Sequence, residues 1–234
     1  MVFKLNRKLV LLWLVGLLLL IYMLSDALSS ESVSVSLPVK GRIVVIDPGH
    51  GGLDGGAVSK SGVAEKDINL KIAIFLKELF ESDGAKVIMT RSEDLSLHSD
   101  ENATVKNKKR QDLLKRREIA NNSGADMMIS IHLNKFEQSK YKGAQVFYEP
   151  NFQDSKKLAS SIQKSLKQNL DSSNTRMEMP IDSSKLQFKN LSVPSVIVEC
   201  GFLSNPEESL LLSTEEYQRK VAVAVYLGVL EFYV

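Results

Sequence analysis

Arg42-Ile-Val-Val-Ile-Asp-Pro-Gly-His-Gly-Gly52 is the stretch from which the fold can be read. Its first half is a short, apolar, β-branched run, the composition of a buried strand. From Pro48 to Gly56 the chain turns glycine-rich, so the strand opens into a loop. A helix pattern follows. Ile68, Ile72, Phe75, Leu76, Leu79 and Phe80 recur at helical spacing between Glu65 and Asp83, and Gly84 supplies the stop. Lys86 to Thr90 is then a second strand.

The alternation continues downstream. Ser92 to Asn107 is polar and charge-rich and is expected to be a surface loop. Leu113, Leu114, Ile119 and Ala120 mark the apolar stripe of another helix that ends near Gly124. Asp126 to Ile131 is a third buried strand and ends at His132, and Gln145 to Tyr148 is a fourth. An amphipathic helix is expected over Ser155 to Leu170, a strand over Ser195 to Val198 ending at Glu199, and a last helix over Glu215 to Phe232. Strands alternating with helices predict an α/β layer fold with a largely parallel sheet. In such sheets ligands bind beyond the carboxyl ends of the strands. His50, His132 and Glu199 all stand at such ends.

Composition bounds the function. The chain has 234 residues, and without its apolar N-terminal segment about 200 remain, enough for one well-buried domain. Hydrophobic residues are 44% and charged residues 25%, an ordinary globular mix. A net charge of +2 is too small for a dedicated nucleic-acid binder, so no nucleic-acid partner is expected. It still tolerates an anionic polymer as substrate. The single cysteine, Cys200, excludes an intramolecular disulfide and a multi-cysteine zinc ribbon, so any metal must be held by histidine and carboxylate. Cys200 itself reads as a packed core thiol, since no third histidine is well placed to activate it.

The first residues read as an export device. Lys4, Arg7 and Lys8 precede an apolar run from Leu9 to Leu24, with the positive flank first. Residues 1–27 are therefore expected to be a signal peptide, with Ser25 and Ala27 placing cleavage after Ala27, or a membrane anchor if uncleaved. With no cysteine there, a lipid anchor is excluded. Residues 28–40, rich in Ser and Val, are expected to be a tether, and 41–234 the catalytic domain, carried across the cytoplasmic membrane.

The three histidines are His50, His98 and His132. Two imidazoles and one carboxylate, with a fourth position left for water, make a common hydrolytic zinc site. Glu65, at the start of the first domain helix, is a good positional candidate for the carboxylate; Asp47 and Asp54 are its rivals. A further carboxylate is needed to move the water's proton, and Glu199 fits. His98 lies among Ser and Asp residues and reads as solvated. The basic run Lys106, Lys108, Lys109, Arg110, Lys115, Arg116 and Arg117 reads as a solvated helix face. The loop from Gly49 to Gly56 lacks the Gly-Lys-Ser/Thr ending of a phosphate-binding loop.

Asp47-Pro-Gly-His-Gly-Gly52, Glu65, Thr90-Arg91, Arg116 with Ala120-Asn121, Ala125-Asp126, Ser130-Ile-His-Leu-Asn134 and Val198-Glu-Cys-Gly-Phe-Leu-Ser-Asn205 together resemble the zinc-dependent N-acetylmuramoyl-L-alanine amidases. The resemblance runs from about Arg42 to Val234. It implies a twisted mixed sheet flanked by helices, zinc held by His50, Glu65 and His132, and Glu199 as the catalytic residue. It also implies peptidoglycan as the substrate, cut at the amide between the lactyl group of N-acetylmuramic acid and L-alanine. Asn134 is a candidate for binding substrate or orienting the metal site, or else belongs to a turn. Arg91 and Arg116 match family positions and are expected as internal ion-pair partners. Leu133 stands where the family often has Ala. With no wall-binding repeats, the chain most resembles the germination-specific amidases of spore-forming bacteria, which strip peptides from spore cortex for muramic-δ-lactam formation. The competing readings are another peptidoglycan zinc hydrolase, a deacetylase or an endopeptidase, and a non-catalytic, membrane-tethered wall-binding protein.

Overall fold

Alternating side chains decide how this sheet is covered. In the structure, a computed structural model describing residues 7–28, 37–182 and 184–234, six strands form one mixed sheet. They are β1 (Ile43–Pro48), β2 (Lys86–Met89), β3 (Met127–Asn134), β4 (Gln145–Tyr148), β5 (Met179–Pro180) and β6 (Ser195–Phe202), in the order β2-β1-β3-β6-β4-β5. β2, β1, β3 and β6 run parallel, whereas β4 is antiparallel to β6 and β5 follows β4. The reversal has a simple cause. A parallel return needs a crossover of roughly a dozen residues or more, usually a helix, and the link from Asn134 to Gln145 contains none.

The helices are α1 (Arg7–Leu28), α2 (Glu65–Ser82), α3 (Val105–Asn122), α4 (Gln153–Asn169), α5 (Pro206–Leu212) and α6 (Glu215–Phe232). On one face of the sheet Val44, Ile46, Ile129, Ile131, Val196 and Val198 pack with Ile72 and Leu76 of α2, Leu158 and Ile162 of α4, and Val225 of α6. On the other face Val45, Met128 and Ile197 meet Ala120 of α3, with Phe188, Leu191 and Val193 from the segment before β6. Each fully buried Ile, Leu or Phe contributes about 1.5–3 kcal/mol.

Strand periodicity also sets the site. Side chains two apart share a face, so Asp47 follows Val45, Ser130 and His132 follow Met128, and Glu199 follows Ile197. The second face is therefore apolar at the start of the strands and polar at their carboxyl ends.

The N-terminal helix α1 forms a unit separate from the domain, which spans Leu37–Val234. No helix among the described residues is long and apolar enough to cross a membrane. Most of the expected 28–40 tether lies outside the described residues, but its last part does not. Val39 is fully buried and Leu37 packs against the main core, so these residues belong to the domain. Two residues of core contact are too few to show periodicity.

The basic run needs correction at Arg116. Of the expected stripe only Ala120 is buried; the face that α3 turns inward carries Asp112 and Arg116 beside it, and Leu113, Leu114 and Ile119 are only half-buried. β5 and α5, both short, lie where no strand or helix was expected.

Candidate metal centre and active site

Three segments of chain bring their polar groups together beyond the ends of β1 and β3. His50 enters from the loop after β1, Glu65 is the first residue of α2, and His132 stands near the end of β3. One ligand atom from each lies within 4.8 Å of the other two, a grouping able to hold a metal ion. His50 Nε2 is 3.2 Å from Glu65 Oε1, and His132 Nδ1 is 3.1 Å from the same oxygen.

The carboxylate is fixed before any metal arrives. Glu65 Oε2 accepts from the Ala57 amide, while Oε1 accepts from the Leu133 amide and from Asn69 Nδ2 one helical turn on. Burial opposes ionisation of Glu65, but the hydrogen bonds to His132 and His50 hold its carboxyl well below the ordinary range. For His50, burial opposes the charge but Asp54 and Glu65 outweigh it and raise the imidazole to about 9.

Close packing aims the rings. A Cβ on Gly49 would lie 2.2 Å from His132 Cε1, so only glycine lets the imidazole sit there. Gly56, at a positive φ of 69°, is pressed equally against Glu65 and His50. His50 itself adopts φ 63°, a left-handed conformation that costs a residue with a Cβ about 1–2 kcal/mol. Two guanidinium groups hold the loop in that shape. Arg116 Nη1 donates to the Pro48 carbonyl and Nη2 to the His50 carbonyl. Arg91 donates to the carbonyls of Pro48, Gly49, Lys66 and Glu93.

Arg116 is the ion-pair partner expected, bonded to Asp47 Oδ1 and Asp112 Oδ2 at 2.6 Å each. Arg91 differs, for its bonds go to backbone carbonyls. Asp47 is no metal ligand. Its Oδ1 accepts from Thr90 and Arg116 and its Oδ2 from Ser130, so both oxygens are occupied inside the protein. Asp54 stands outside the triad, 3.0 Å from His50 Nδ1, and also pairs with Lys109. That contact leaves Nε2 of His50 for a ligand and sets the ring's orientation, the usual outer-carboxylate arrangement around a metal. Of the three rival carboxylates, only Glu65 faces both imidazoles.

Glu199 pairs with His132 in the register of β3 and β6. Burial pushes its carboxyl up from the ordinary value. Its Oε2 and the Nε2 of His132 are buried without a hydrogen-bond partner. Buried polar atoms are rarely left so without a functional cause. Two imidazoles, one of them with an unpaired nitrogen, and a carboxylate fit zinc in kind and number, with a position left open.

The remaining candidates fall elsewhere. Asn134, the last residue of β3, accepts at its Oδ1 from the Lys135 amide. His98 is not solvated: its side chain is only 7% exposed, bonded to Ser96 and Glu101, but it lies outside the triad. Cys200 is a buried free thiol whose acidity burial suppresses, as expected of core packing. The sequence reading missed the roles of Asn69 and Asp54 in aligning the ligands. The spacing of Asn69, four residues after Glu65 on one helix face, was the available signal.

Fold and site together define a class. The chain belongs to the N-acetylmuramoyl-L-alanine amidase family, whose model matches residues 44–231. More particularly, it is 38% identical to the germination-specific N-acetylmuramoyl-L-alanine amidase of Bacillus subtilis over 223 residues, 94% of this chain and 93% of that protein. The solved CwlD amidase of Clostridioides difficile, in complex with the GerS lipoprotein, is similar at 48% identity and a TM-score of 0.79, covering 82% of this chain and 98% of that one. The N-acetylmuramoyl-L-alanine amidase AmiA of Escherichia coli is 30% identical over 239 residues, 82% of this chain and 76% of that protein.

Proposed function

We propose that this protein is a zinc-dependent amidase of peptidoglycan that hydrolyses the bond between the lactyl group of N-acetylmuramic acid and L-alanine. The observation that carries the reading is the convergence of His50, Glu65 and His132 beside Glu199, whose Oε2 is buried without a hydrogen-bond partner. His50, Glu65 and His132 would hold the ion. When bound there, zinc supplies a Lewis acid that polarises the scissile carbonyl and makes a water acidic enough to attack near neutral pH.

The chain's own groups do the rest. Glu199 Oε2, free of internal hydrogen bonds, takes the proton of the attacking water and passes it to the departing L-alanine nitrogen. Its raised proton affinity suits both halves of that task. Asp54 and Asn69 keep His50 and Glu65 aligned, so little reorganisation is needed at the moment of reaction. Similarity to the germination-specific amidase supports the peptidoglycan of the spore cortex as the natural substrate. A location beyond the cytoplasmic membrane follows from that substrate, and the apolar run from Leu9 to Leu24 supports export.

The test incubates the purified full chain and zinc with peptidoglycan and reads the products by mass spectrometry. Intact stem peptides with a new L-alanine amine, together with glycan bearing bare lactyl groups, are expected, and both should vanish with a chelator. Released acetate would instead indicate a deacetylase, and stem peptides cut internally an endopeptidase. No product from folded, zinc-loaded protein would leave a wall-binding role.

A further inference from the structure

Beside the metal centre runs a groove of about 250 Å³, with His50 and Asp54 on one wall, Lys108 and Lys109 of α3 on a second, and Lys185 and Leu186 on a third. Its charges are not equivalent. Lys109 is engaged by Asp54 and Lys108 by Glu101. Lys185 is exposed and makes no ion pair or side-chain hydrogen bond among the described residues, although its charge acts on nearby Asp182.

The position of Lys185 is nonetheless fixed. It opens the short 3-10 turn Leu186–Phe188, whose Phe188 amide bonds back to the Lys185 carbonyl. Gln187 and Phe188 are buried, Phe188 in the core beneath α3. Arg117 and Asn121 of α3 then bond the carbonyls of Lys189 and Asn190. These bonds hold the backbone around Lys185, while its side chain is exposed.

An ammonium without an ion pair, on the wall of a groove that His50 also lines, is placed to meet an anion that the substrate brings. We propose that Lys185 binds the free carboxylate on the second, acidic residue of the stem peptide, one residue beyond the bond that is cut. This rests on the amidase reading and deepens it, because it assigns the peptide rather than the glycan to the groove along α3. Lys185 is on this account a specificity-determining residue: it selects stem peptides whose second residue keeps its carboxylate over those in which it is amidated.

The test uses two muramoyl-peptides that differ only in whether that residue carries a carboxylate or a carboxamide. The full-length wild type should prefer the carboxylate by about tenfold in kcat/KM, the worth of one charge-assisted hydrogen bond. The preference should lie in KM and shrink as salt screens the charge. Lys185→Gln should bring the ratio of the two substrates close to one, and Lys185→Arg should restore most of it. Because each ratio is taken within one enzyme, a general loss of activity does not imitate the effect. A preference that survives in Lys185→Gln, or is missing from the wild type, overturns the proposal. So does a variant whose only change is weaker inhibition by the lactyl-bearing product, since the ammonium would then be holding the carboxylate freed by cleavage. Cleavage of neither peptide by zinc-loaded wild type overturns the amidase reading itself, and this one with it.

Discussion

At Gly49 a single hydrogen stands where any side chain would strike the His132 ring, three of whose atoms lie within 2.6 Å of the ideal Cβ. Gly49→Ala therefore forces the imidazole away from Glu65, and zinc affinity should fall by at least about tenfold, the scale at which misplaced ligands act. A competition titration against a chelating dye reads this, with circular dichroism as the check on folding; an unchanged affinity would mean the ring has room that the structure denies. Glu199→Gln separates chemistry from binding in the complementary way. It should keep the fold and the metal but lose about 10²- to 10⁴-fold in turnover, the contribution of a general acid–base, and full activity in this variant would assign the proton transfer elsewhere. Asp47 gives a prediction about pH. Burial works against its charge, yet Arg116, Ser130 and Thr90 prevail and lower its carboxyl from 3.8 to about 2. A carboxyl depressed in the folded state stabilises the protein above its unfolded pKa, and that stability is lost as pH falls through the folded value. Roughly 2 kcal/mol should thus disappear between about pH 4 and pH 2. Urea midpoints followed through that window should show it, and Asp47→Asn should give a flatter curve from a lower starting stability.

α3 shows how an element can be legible as a helix and misread as to its face. Its existence was plain from spacing, but the side turned to the sheet holds Asp112 and Arg116, and a search for an apolar stripe passes over buried charge. Such a face is tolerable only because every charge on it is answered: Arg116 meets two carboxylates and two carbonyls. Arg116→Met should consequently destabilise the fold by about 3–5 kcal/mol, because Asp47 is left buried and uncompensated. Combining it with Asp47→Asn should recover part of that loss. Denaturant unfolding of the two single variants and the double one decides the matter, and strict additivity would show that the pair does not interact as its geometry requires. The principal strands and most helices were readable because their apolar periods are strong, and the strand-end positions of His50, His132 and Glu199 followed from them. The choice among Glu65, Asp47 and Asp54 was not readable from periodicity, for all three lie near the same sheet edge and only the tertiary bonds of each tell a ligand from its supports. The stretch around Lys185 has no period at all. It is placed by Phe188, Leu191 and Val193 entering the second core, a long-range event that local pattern does not announce.

For the molecule as a whole, the candidate metal centre joins the loop after β1, the start of α2 and the end of β3, so an ion bound there would tie together segments that lie far apart in sequence. Even without the ion, these segments are linked by Glu65, which bonds both imidazoles and the Leu133 amide, and they rest on a core that owes nothing to metal. Zinc removal should therefore lower stability without unfolding the domain, unlike small zinc modules whose folding free energy is largely that of metal binding. With free zinc a hundredfold above its dissociation constant, the gain is about 2.7 kcal/mol, which for a domain of this size corresponds to a shift in Tm of roughly 5–10 °C. Calorimetry of the full chain with zinc and after exhaustive chelation should show one domain transition in each case, the second at the lower temperature. The same shift should be small or absent in Glu65→Gln, where the shared carboxylate is lost, and should persist in Glu199→Gln, where every proposed ligand remains. A Tm indifferent to chelation in protein shown to have lost its zinc would place the ion away from these three residues, whereas a metal-free domain with no cooperative transition would mean that the hydrogen bonds around Glu65 do not suffice to preform the site.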